Sequence, residues 1–283
     1  MKDIVISGQN FSFERAFYAV KDMRFEDCSF SGEEDGESAF KEAERIEVAR
    51  CRFELRYPLW HTSGFEIYDS VMTETCRAPL WYSDNGKISR LTLSGPKALR
   101  ECMMIDIYDS SVRSAEFGWR CRLISAYDTS FESEYIFFMS RDLDLHNIKL
   151  RGKYSFQYVE KFTVENSELD TKDAFWHSKD VTVENSIIRG EYLGWYSENL
   201  TLKNCKIIGT QPFCYCKGLK LINCEMVDCD LAFEYSSVEA DTHGHIISVK
   251  NPRSGTIVAD SVGEIIRDGA VYPCEGKVII REN

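Results

Sequence analysis

The chain has 283 residues, 43% of them hydrophobic, and carries a formal net charge of −12 at pH 7. This charge argues against duplex nucleic acid and anionic membranes as partners, since both are bound through basic surfaces. The sequence opens without the apolar core of a signal peptide and contains no apolar run long enough to span a bilayer. We therefore expect a cytoplasmic protein whose 11 cysteines are reduced.

We expect one domain over residues 1–283, because no linker rich in Pro, Gly or Ser interrupts the chain. Within this domain, residues 10–26 are predicted to cap the N-terminal end, where an open strand edge would otherwise be exposed. Residues 27–236 contain a regular repeat, and residues 237–283 are predicted to form irregular coils in which that repeat is lost.

The regular repeat has a period of 19 residues and is marked by one polar position, which we call the anchor. The clearest anchors are Asn147, Asn166, Asn185, Asn204 and Asn223. A fixed period of this length is typical of a solenoid, in which each repeat packs only against its neighbours. Stacked coils would align the anchors into a ladder, with each Asn side chain bonded to the backbone of the neighbouring coil.

Each repeat is predicted to contain three short strands that face one core. Apolar and polar residues alternate before the anchor, an apolar residue follows three positions after it, and a third apolar column comes later. That column contains Leu59, Leu80, Leu99, Phe137, Phe156, Phe175, Phe213 and Phe233. A period of 19 residues is too short for a βαβ crossover, and the cadence of a leucine-rich repeat is absent. The pattern predicts a parallel β-helix of about eleven coils.

The first coils place aromatic and charged residues beside the predicted core column. The candidate ligand-binding residues of this aromatic stripe are Lys41, Trp60, Trp81, Tyr82 and Trp119. Three interpretations are open. The stripe stacks on sugar rings, it buries itself against a second copy of the chain, or it is a partly buried ladder without a partner. The second interpretation follows from the enrichment of Trp, Tyr and Arg at protein interfaces.

The same coils contain the candidates for catalysis, which are Glu37, Glu42, His61, Glu74, Arg56 and Arg77. Glycoside hydrolysis requires two carboxylates about 5–10 Å apart. Elimination across a uronic acid instead requires a base, such as Arg or Lys, beside a second cation. Neither pattern is specific, because ion pairs such as Glu37 with Arg56 also explain these residues.

A separate candidate site lies where the repeat ends, at Asp241, His243 and His245. Alternate residues of an extended strand share a face, so one carboxylate and two imidazoles would converge. This set of ligands suits a divalent transition metal. The alternative is a group of polar residues that caps the core, and no other cofactor is predicted.

Five strings of the sequence resemble a bacterial family of unknown function, DUF3737. They are ERAFY at 14–18, DGES at 35–38, LRYPLWH at 55–61, TETCRAPLWY at 73–82 and VKNPRSG at 249–255. The likeness spans nearly the whole chain and implies a right-handed β-helix like that of pectin lyase. It implies no activity and transfers no catalytic residues. Helices of this type include lyases and hydrolases of acidic polysaccharides, so any such activity would rest on fold alone.

We therefore expect an all-β fold, a single-stranded right-handed parallel β-helix. The functional hypothesis is a protein that binds or acts on an acidic polysaccharide or an oligosaccharide through its first coils. As an enzyme it would be a carbohydrate lyase or a glycoside hydrolase. The alternative is a non-enzymatic module for self-assembly or protein interaction, a homo-oligomer with the aromatic stripe as its interface.

Overall fold

The computed structural model describes residues 4–32 and 37–282 as strands, turns and bends, and none of these residues is helical. Two compact units divide the chain, Met1–Asp144 and Leu145–Asn283. Each is a right-handed parallel β-helix with about 19 residues per turn, which confirms the predicted fold class. The described residues make about 14 turns, more than the eleven expected, because coiling begins at Ile4 and continues to Ile280. Nothing in the described part forms a helix that could cross a membrane.

The strands of the first unit are short and follow one another around each coil. They are β1 (Ile4–Ser7), β2 (Asn10–Phe11), β3 (Met23–Glu26), β4 (Ser29–Phe30), β5 (Glu47–Ala49), β6 (Arg52–Phe53), β7 (Leu59–Trp60), β8 (Ser63–Tyr68), β9 (Val71–Met72), β10 (Leu80–Trp81), β11 (Asp84–Ser89), β12 (Thr92–Leu93), β13 (Met103–Tyr108), β14 (Ser111–Arg113), β15 (Glu116–Phe117), β16 (Arg122–Tyr127), β17 (Ser130–Ser133) and β18 (Tyr135–Ile136). The next strand, β19 (Arg141–His146), includes the last residues of this unit.

The second unit repeats the arrangement and ends in longer strands. Its strands are β20 (Lys149–Lys153), β21 (Glu160–Glu165), β22 (Glu168–Lys172), β23 (Lys179–Glu184), β24 (Ile187–Arg189), β25 (Glu198–Lys203), β26 (Lys206–Ile208), β27 (Leu219–Val227), β28 (Ser237–His243), β29 (His245–Lys250), β30 (Ser254–Ala259), β31 (Ser261–Ile266) and β32 (Lys277–Ile280).

The apolar columns form the core within each unit, as predicted. All eight members of the third column, from Leu59 to Phe233, are no more than 1% exposed. Strands one coil apart pair in parallel and in register, so that Val181 aligns with Leu200 and Val183 with Leu202. Because side chains alternate along a strand, the residue between two buried ones points outward.

The anchors mark a corner where the backbone is left-handed. The anchor column begins at Asp27 and ends at Asn223, and the φ angles of its residues lie between 47° and 54°. Asn and Asp tolerate this conformation better than most residues, which explains their recurrence. The Asn ladder exists, but at Asn204 and Asn223 the side-chain amide bonds the next Asn side chain and not the predicted neighbouring backbone. Asn223 Nδ2 donates to Asn204 Oδ1 at 2.8 Å, and Asn204 Nδ2 donates to Asn185 Oδ1 at 3.1 Å.

The two ends of the chain depart from the regular repeat in different ways. Residues 10–26, expected as a cap, contain β2 and β3, and both pair in parallel with the following coil. Strand β1 precedes them and pairs with β3. Near the C-terminus the spacing is irregular, since Ser237 aligns with Ser254 whereas Thr256 aligns with Lys277.

The cysteines face the core. All 11 are free thiols, and ten of them are buried. Burial raises the pKa of the Cys76 thiol to about 12 and that of Cys229 to about 12. These side chains occupy positions for small residues beside the strands, as Ser186 and Ser197 do in other coils.

Candidate functional site

The aromatic stripe predicted on the first coils is a stack of rings. The ring centroids of Trp60 and Trp81 are 5.6 Å apart, and the rings are inclined by 12°. On Trp60, Lys41 Nζ lies 4.9 Å from the ring centroid. The indole N–H groups of both tryptophans are buried, without a hydrogen-bond partner among the described residues. The facing sides of these rings cover each other, whereas a sugar would stack on a free aromatic face.

The remaining residues of the stripe differ in exposure. Tyr82 is 37% exposed and stacks on His61, with ring centroids 5.0 Å apart. The ring of Trp119 lies against Arg100, whose guanidinium carbon is 4.8 Å from the centroid, and its Nε1 donates to the carbonyl of Tyr135. Trp60, Trp81 and Trp119 thus fit the interpretation of a partly buried ladder.

The six candidates for catalysis do not converge on one place. Arg56 lies 3.5 Å from Glu37 as an ion pair. The carboxylate of Glu42 accepts a hydrogen bond from Tyr18 at 2.8 Å, and this bond raises the pKa of the Tyr18 phenol. Glu74 lines a different hollow of about 550 Å³ whose lining includes none of the other five candidates. The backbone carbonyl of Arg77 accepts a hydrogen bond from Tyr57 N in the preceding coil.

The candidate metal ligands do not share one strand. Strand β28 ends at His243, Gly244 turns the chain with φ +86°, and His245 begins β29. Asp241 is bound by Arg281, and His243 Nε2 lies 3.0 Å from Asn223 Oδ1. Within residues 4–32 and 37–282, no group of three His, Cys, Asp or Glu is placed to hold a metal ion. The metal role remains a prediction, and the expected shared strand face for it is wrong.

The outward face of the first unit's sheet carries an open groove of about 730 Å³, which we call the sheet groove. Its floor is a row of side chains in register on β8, β11, β13 and β16, namely Glu66, Lys87, Asp106 and Ser125. Neighbouring strands lie about 4.8 Å apart, so adjacent members of the row are within reach of one small ligand. Beside the row, Met104 and Leu123 line the groove and are 43% and 45% exposed.

The sheet groove contains more acidic than basic side chains. Its charged residues are Arg45, Glu66, Lys87, Asp106, Asp142 and Asp144. Arg45 donates to both carboxylate oxygens of Asp22, at 2.7 and 2.8 Å, and to Glu44 at 3.0 Å. Lys87 instead lies over the ring of Tyr108, with Nζ 5.5 Å from the centroid. Lys87 is the cation of the row, and its partners in register on the two neighbouring strands are Glu66 and Asp106.

Two further features shape the same face. Tyr108 stacks on Tyr127, with centroids 5.1 Å apart and rings inclined by 10°. Burial, with smaller effects from Asp106 and Tyr127, raises the pKa of Tyr108, so its phenol stays protonated at neutral pH. Under the row, Gly86 leaves room for Phe65, because a Cβ at Gly86 would lie 2.2 Å from that ring.

Comparison with known proteins gives the chain a family. The sequence profile of the family described as "Protein of unknown function (DUF3737)" matches residues 4–279. The chain belongs to the DUF3737 family. The resemblance inferred from the five sequence strings is thus confirmed. A search of curated proteins finds no match to this DUF3737 chain.

Solved structures with the same fold are distant in sequence. The A-module of the mannuronan C-5 epimerase AlgE6 from Azotobacter vinelandii is 11% identical, with a TM-score of 0.50, and the match covers 99% of this chain and 91% of that one. The surface adhesin PfbA of Streptococcus pneumoniae is 10% identical, with a TM-score of 0.44, over 77% of this chain and 71% of that one. At such identity the likeness of this DUF3737 chain to the epimerase module shows the fold alone.

Sequence reasoning missed the sheet groove, although a signal for it is present in this DUF3737 chain. Three positions before each anchor, the side chain points outward between two buried ones. In the first unit that position is occupied by Arg24, Glu47, Glu66, Lys87, Asp106, Ser125 and Asp144. In the second unit it begins with Thr163, Thr182 and Thr201. The change from charged residues to threonine along one column therefore distinguishes the grooved face.

Proposed function

We propose that this protein binds an oligosaccharide in the sheet groove of its first unit. The observation that carries this proposal is the row Glu66, Lys87 and Asp106, aligned in register beside two exposed apolar side chains. Fold alone would not support it, because one β-helix architecture hosts unrelated functions.

The chemistry of the groove matches the two kinds of surface that a sugar presents. Sugar hydroxyls both donate and accept hydrogen bonds, and the row offers two carboxylate acceptors and one ammonium donor on successive strands. The C–H faces of a sugar ring are apolar, and Met104 and Leu123 supply an apolar wall beside the row. Sites for small ligands commonly combine apolar walls with a few polar groups that fix orientation.

The charge of the groove favours a neutral or amino sugar over the acidic sugar expected from the sequence. A uronic acid carboxylate would meet Glu66, Asp106, Asp142 and Asp144, and like charges at close range repel one another. Lys87 offers one compensating cation, and Arg45 already binds two carboxylates. The fold shared with a mannuronan epimerase is compatible with a carbohydrate ligand and indicates nothing about this charge preference.

Calorimetric titration of the full chain against neutral, amino-sugar and uronic-acid oligosaccharides tests the proposal. We expect heat of binding with neutral or amino sugars, and weaker binding after Asp106→Asn. Trp60→Ala serves as the comparison for the aromatic stripe. If Trp60→Ala abolishes binding while Asp106→Asn leaves it intact, the ligand lies on the aromatic stripe and the groove is not the site. If no sugar of the three classes binds, the carbohydrate proposal fails.

A further inference from the structure

We propose that the N-terminal coil of this protein binds the same coil of a second copy, which makes the chain a two-fold symmetric dimer. Strand β1 pairs with β3 and strand β2 with β4. Among the described residues, no strand pairs with their opposite edges. An open edge of this kind presents unpaired N–H and C=O groups that accept a strand from another chain.

The core also reaches the surface at this end. Ile4 is 55% exposed, Val5 53%, Phe13 53% and Tyr18 50%. Phe13 packs on Phe11, with ring centroids 6.4 Å apart. These rings extend the aromatic core of the first unit outward. An exposed apolar surface that continues a core is typical of an interaction site.

Phe11 connects this exposed surface to the interior. Its ring centroid lies 4.7 Å from that of Phe17, and Phe17 lies 4.5 Å from Phe25, which is fully buried. The first coil therefore covers the second coil. Its own outer side presents a strand edge and apolar side chains, which another coil would match.

The balanced charge of this end allows a second copy as the occupant. Residues 4–22 contain two acidic and two basic side chains, Glu14, Asp22, Arg15 and Lys21, in a chain with a net charge of −12. Arg15 pairs with Glu14 at 2.9 Å, Lys21 with Glu44 at 2.7 Å, and Asp22 with Arg45 at 2.7 Å. A symmetric contact brings each surface onto its own copy, so an acidic end would repel itself. This neutral, internally paired end does not.

Strand β1 is also complementary to itself. In antiparallel pairing about a two-fold axis, Ile4 would lie opposite Ser7 and Val5 opposite Ile6, so that apolar side chains meet. None of these four residues is charged, and none is proline. Such a contact closes on itself at two copies, whereas a head-to-tail contact would continue into a filament.

The C-terminal end of the second unit also exposes apolar side chains, such as Val271 and Ile279, but charged residues flank its last strand. Strand β32 starts with Lys277 and is followed by Arg281, and charged residues at an edge strand oppose pairing with another chain. Arg267 donates to the carbonyls of Cys274 and Gly276, at 3.1 and 2.6 Å, and closes the preceding segment into a loop. The two ends thus provide a matched pair for comparison.

Sedimentation equilibrium of the full chain tests the proposal. We expect twice the 32.6 kDa mass of the chain, and a shift to the single mass with Val5→Lys. The matched control is Ile279→Lys, which places the same charge on a 49% exposed residue of β32 and should leave the dimer intact. Circular dichroism measures whether both variants are folded. We expect that they are, because both substituted side chains are about half exposed.

Three results would overturn the proposal. These are a single mass for the unaltered chain at all concentrations, a dimer that resists Val5→Lys, and an oligomer that Ile279→Lys also dissociates. The last result would indicate head-to-tail contact. Dissociation by Trp60→Ala in place of Val5→Lys would instead support the aromatic stripe as interface. Carbohydrate binding is measured independently and is expected to survive Val5→Lys.

Discussion

Lys87 and Asp106 lie in register on neighbouring parallel strands, with both side chains on the outward face of the first unit. Glu66 is in register with Lys87 on the opposite side, so acidic, basic and acidic residues follow one another across three strands. All three line the sheet groove. The paired strands fix the backbone spacing of these residues before any ligand binds, and preorganisation of this kind reduces the entropy lost on binding.

Lys87→Met is expected to weaken oligosaccharide binding about tenfold, because hydrogen bonds to charged groups contribute about 1.5–3 kcal/mol. The matched control is Lys220→Met, since Lys220 has the same place three residues before an anchor but lies in the second unit. Calorimetry of both variants measures the difference. Equal affinities in the two variants would remove Lys87 from the site.

Gly190→Ala is expected to destabilise the fold by about 1–3 kcal/mol or more, as overpacking does. A Cβ there would lie 1.8 Å from the carbonyl oxygen of Thr171, and the backbone has φ +155°. Gly269→Ala is the control in the same unit, because Gly269 has φ +65° but no atom within 4 Å of the added carbon. Urea unfolding midpoints compare the two, and similar losses would show that conformation, not contact, requires glycine at 190.

Asn204→Ala is expected to cost about 1–2 kcal/mol, the penalty for a left-handed alanine, together with two lost side-chain bonds. Asn204→Gly separates these effects, because glycine adopts φ +52° without penalty and also lacks the amide. We expect the glycine variant to lose less stability than the alanine variant in chemical denaturation. Equal losses in the two variants would assign the stability of this corner to the ladder bonds.

Acid should weaken the corner ion pair of Asp69 and Arg90. The hydrogen bond from Arg90, at 2.6 Å, lowers the pKa of Asp69 from its ordinary 3.8. A depressed folded-state pKa contributes stability that is present above the unfolded value and is lost as pH falls through the folded one. The difference in unfolding midpoint between the unaltered chain and Asp69→Asn should therefore be constant near neutral pH and diminish as the pH falls below 3.8. A difference in unfolding midpoint that persists in acid would show that the ion pair with Arg90 does not account for the effect of Asp69.

One thiol should react far faster than the rest. Cys274 is partly exposed, whereas the other ten cysteines are buried. Burial raises the pKa of Cys216 to about 11 and those of Cys76 and Cys229 to about 12, so few thiolates form at neutral pH. Titration with a chromogenic disulfide should show one fast thiol in the native protein, and none after Cys274→Ser. Several fast thiols in that variant would contradict the buried arrangement.

The sequence predicted the fold well because each coil of a solenoid has the same geometry, which appears in the sequence as a fixed period. The buried columns and the anchor corner follow directly from apolar spacing and from residues that tolerate left-handed backbone. The irregular spacing after Ser236 was also visible in the sequence, because the 19-residue period is lost there. Residues 10–26 were harder, because β2 and β3 form a coil before the first anchor with little repeated pattern.

The site was predicted less well, for a physical reason. Trp60, Trp81 and His61 are rare residue types and attract a functional interpretation, yet their rings mostly cover one another. Glu66, Lys87 and Asp106 are common residues whose importance comes from alignment on one face. Such alignment depends on the register between strands 19 or 21 residues apart, and insertions such as the one between Asp69 and Arg90 obscure it.

The hydrogen bonds between coils determine how the number of coils in such a chain can change. Hydrogen bonds between coils join residues about one period apart, such as Asn204 with Asn185 and Lys217 with Glu198. A coil therefore contacts mainly its immediate neighbours, and the hydrogen bond from Arg24 to Tyr68, two coils away, is an exception. Duplication or deletion of a whole coil would leave most remaining contacts with an equivalent partner. The length of the sheet groove can thus be altered in single-coil steps, which provides a route to longer or shorter ligands without redesign of the core.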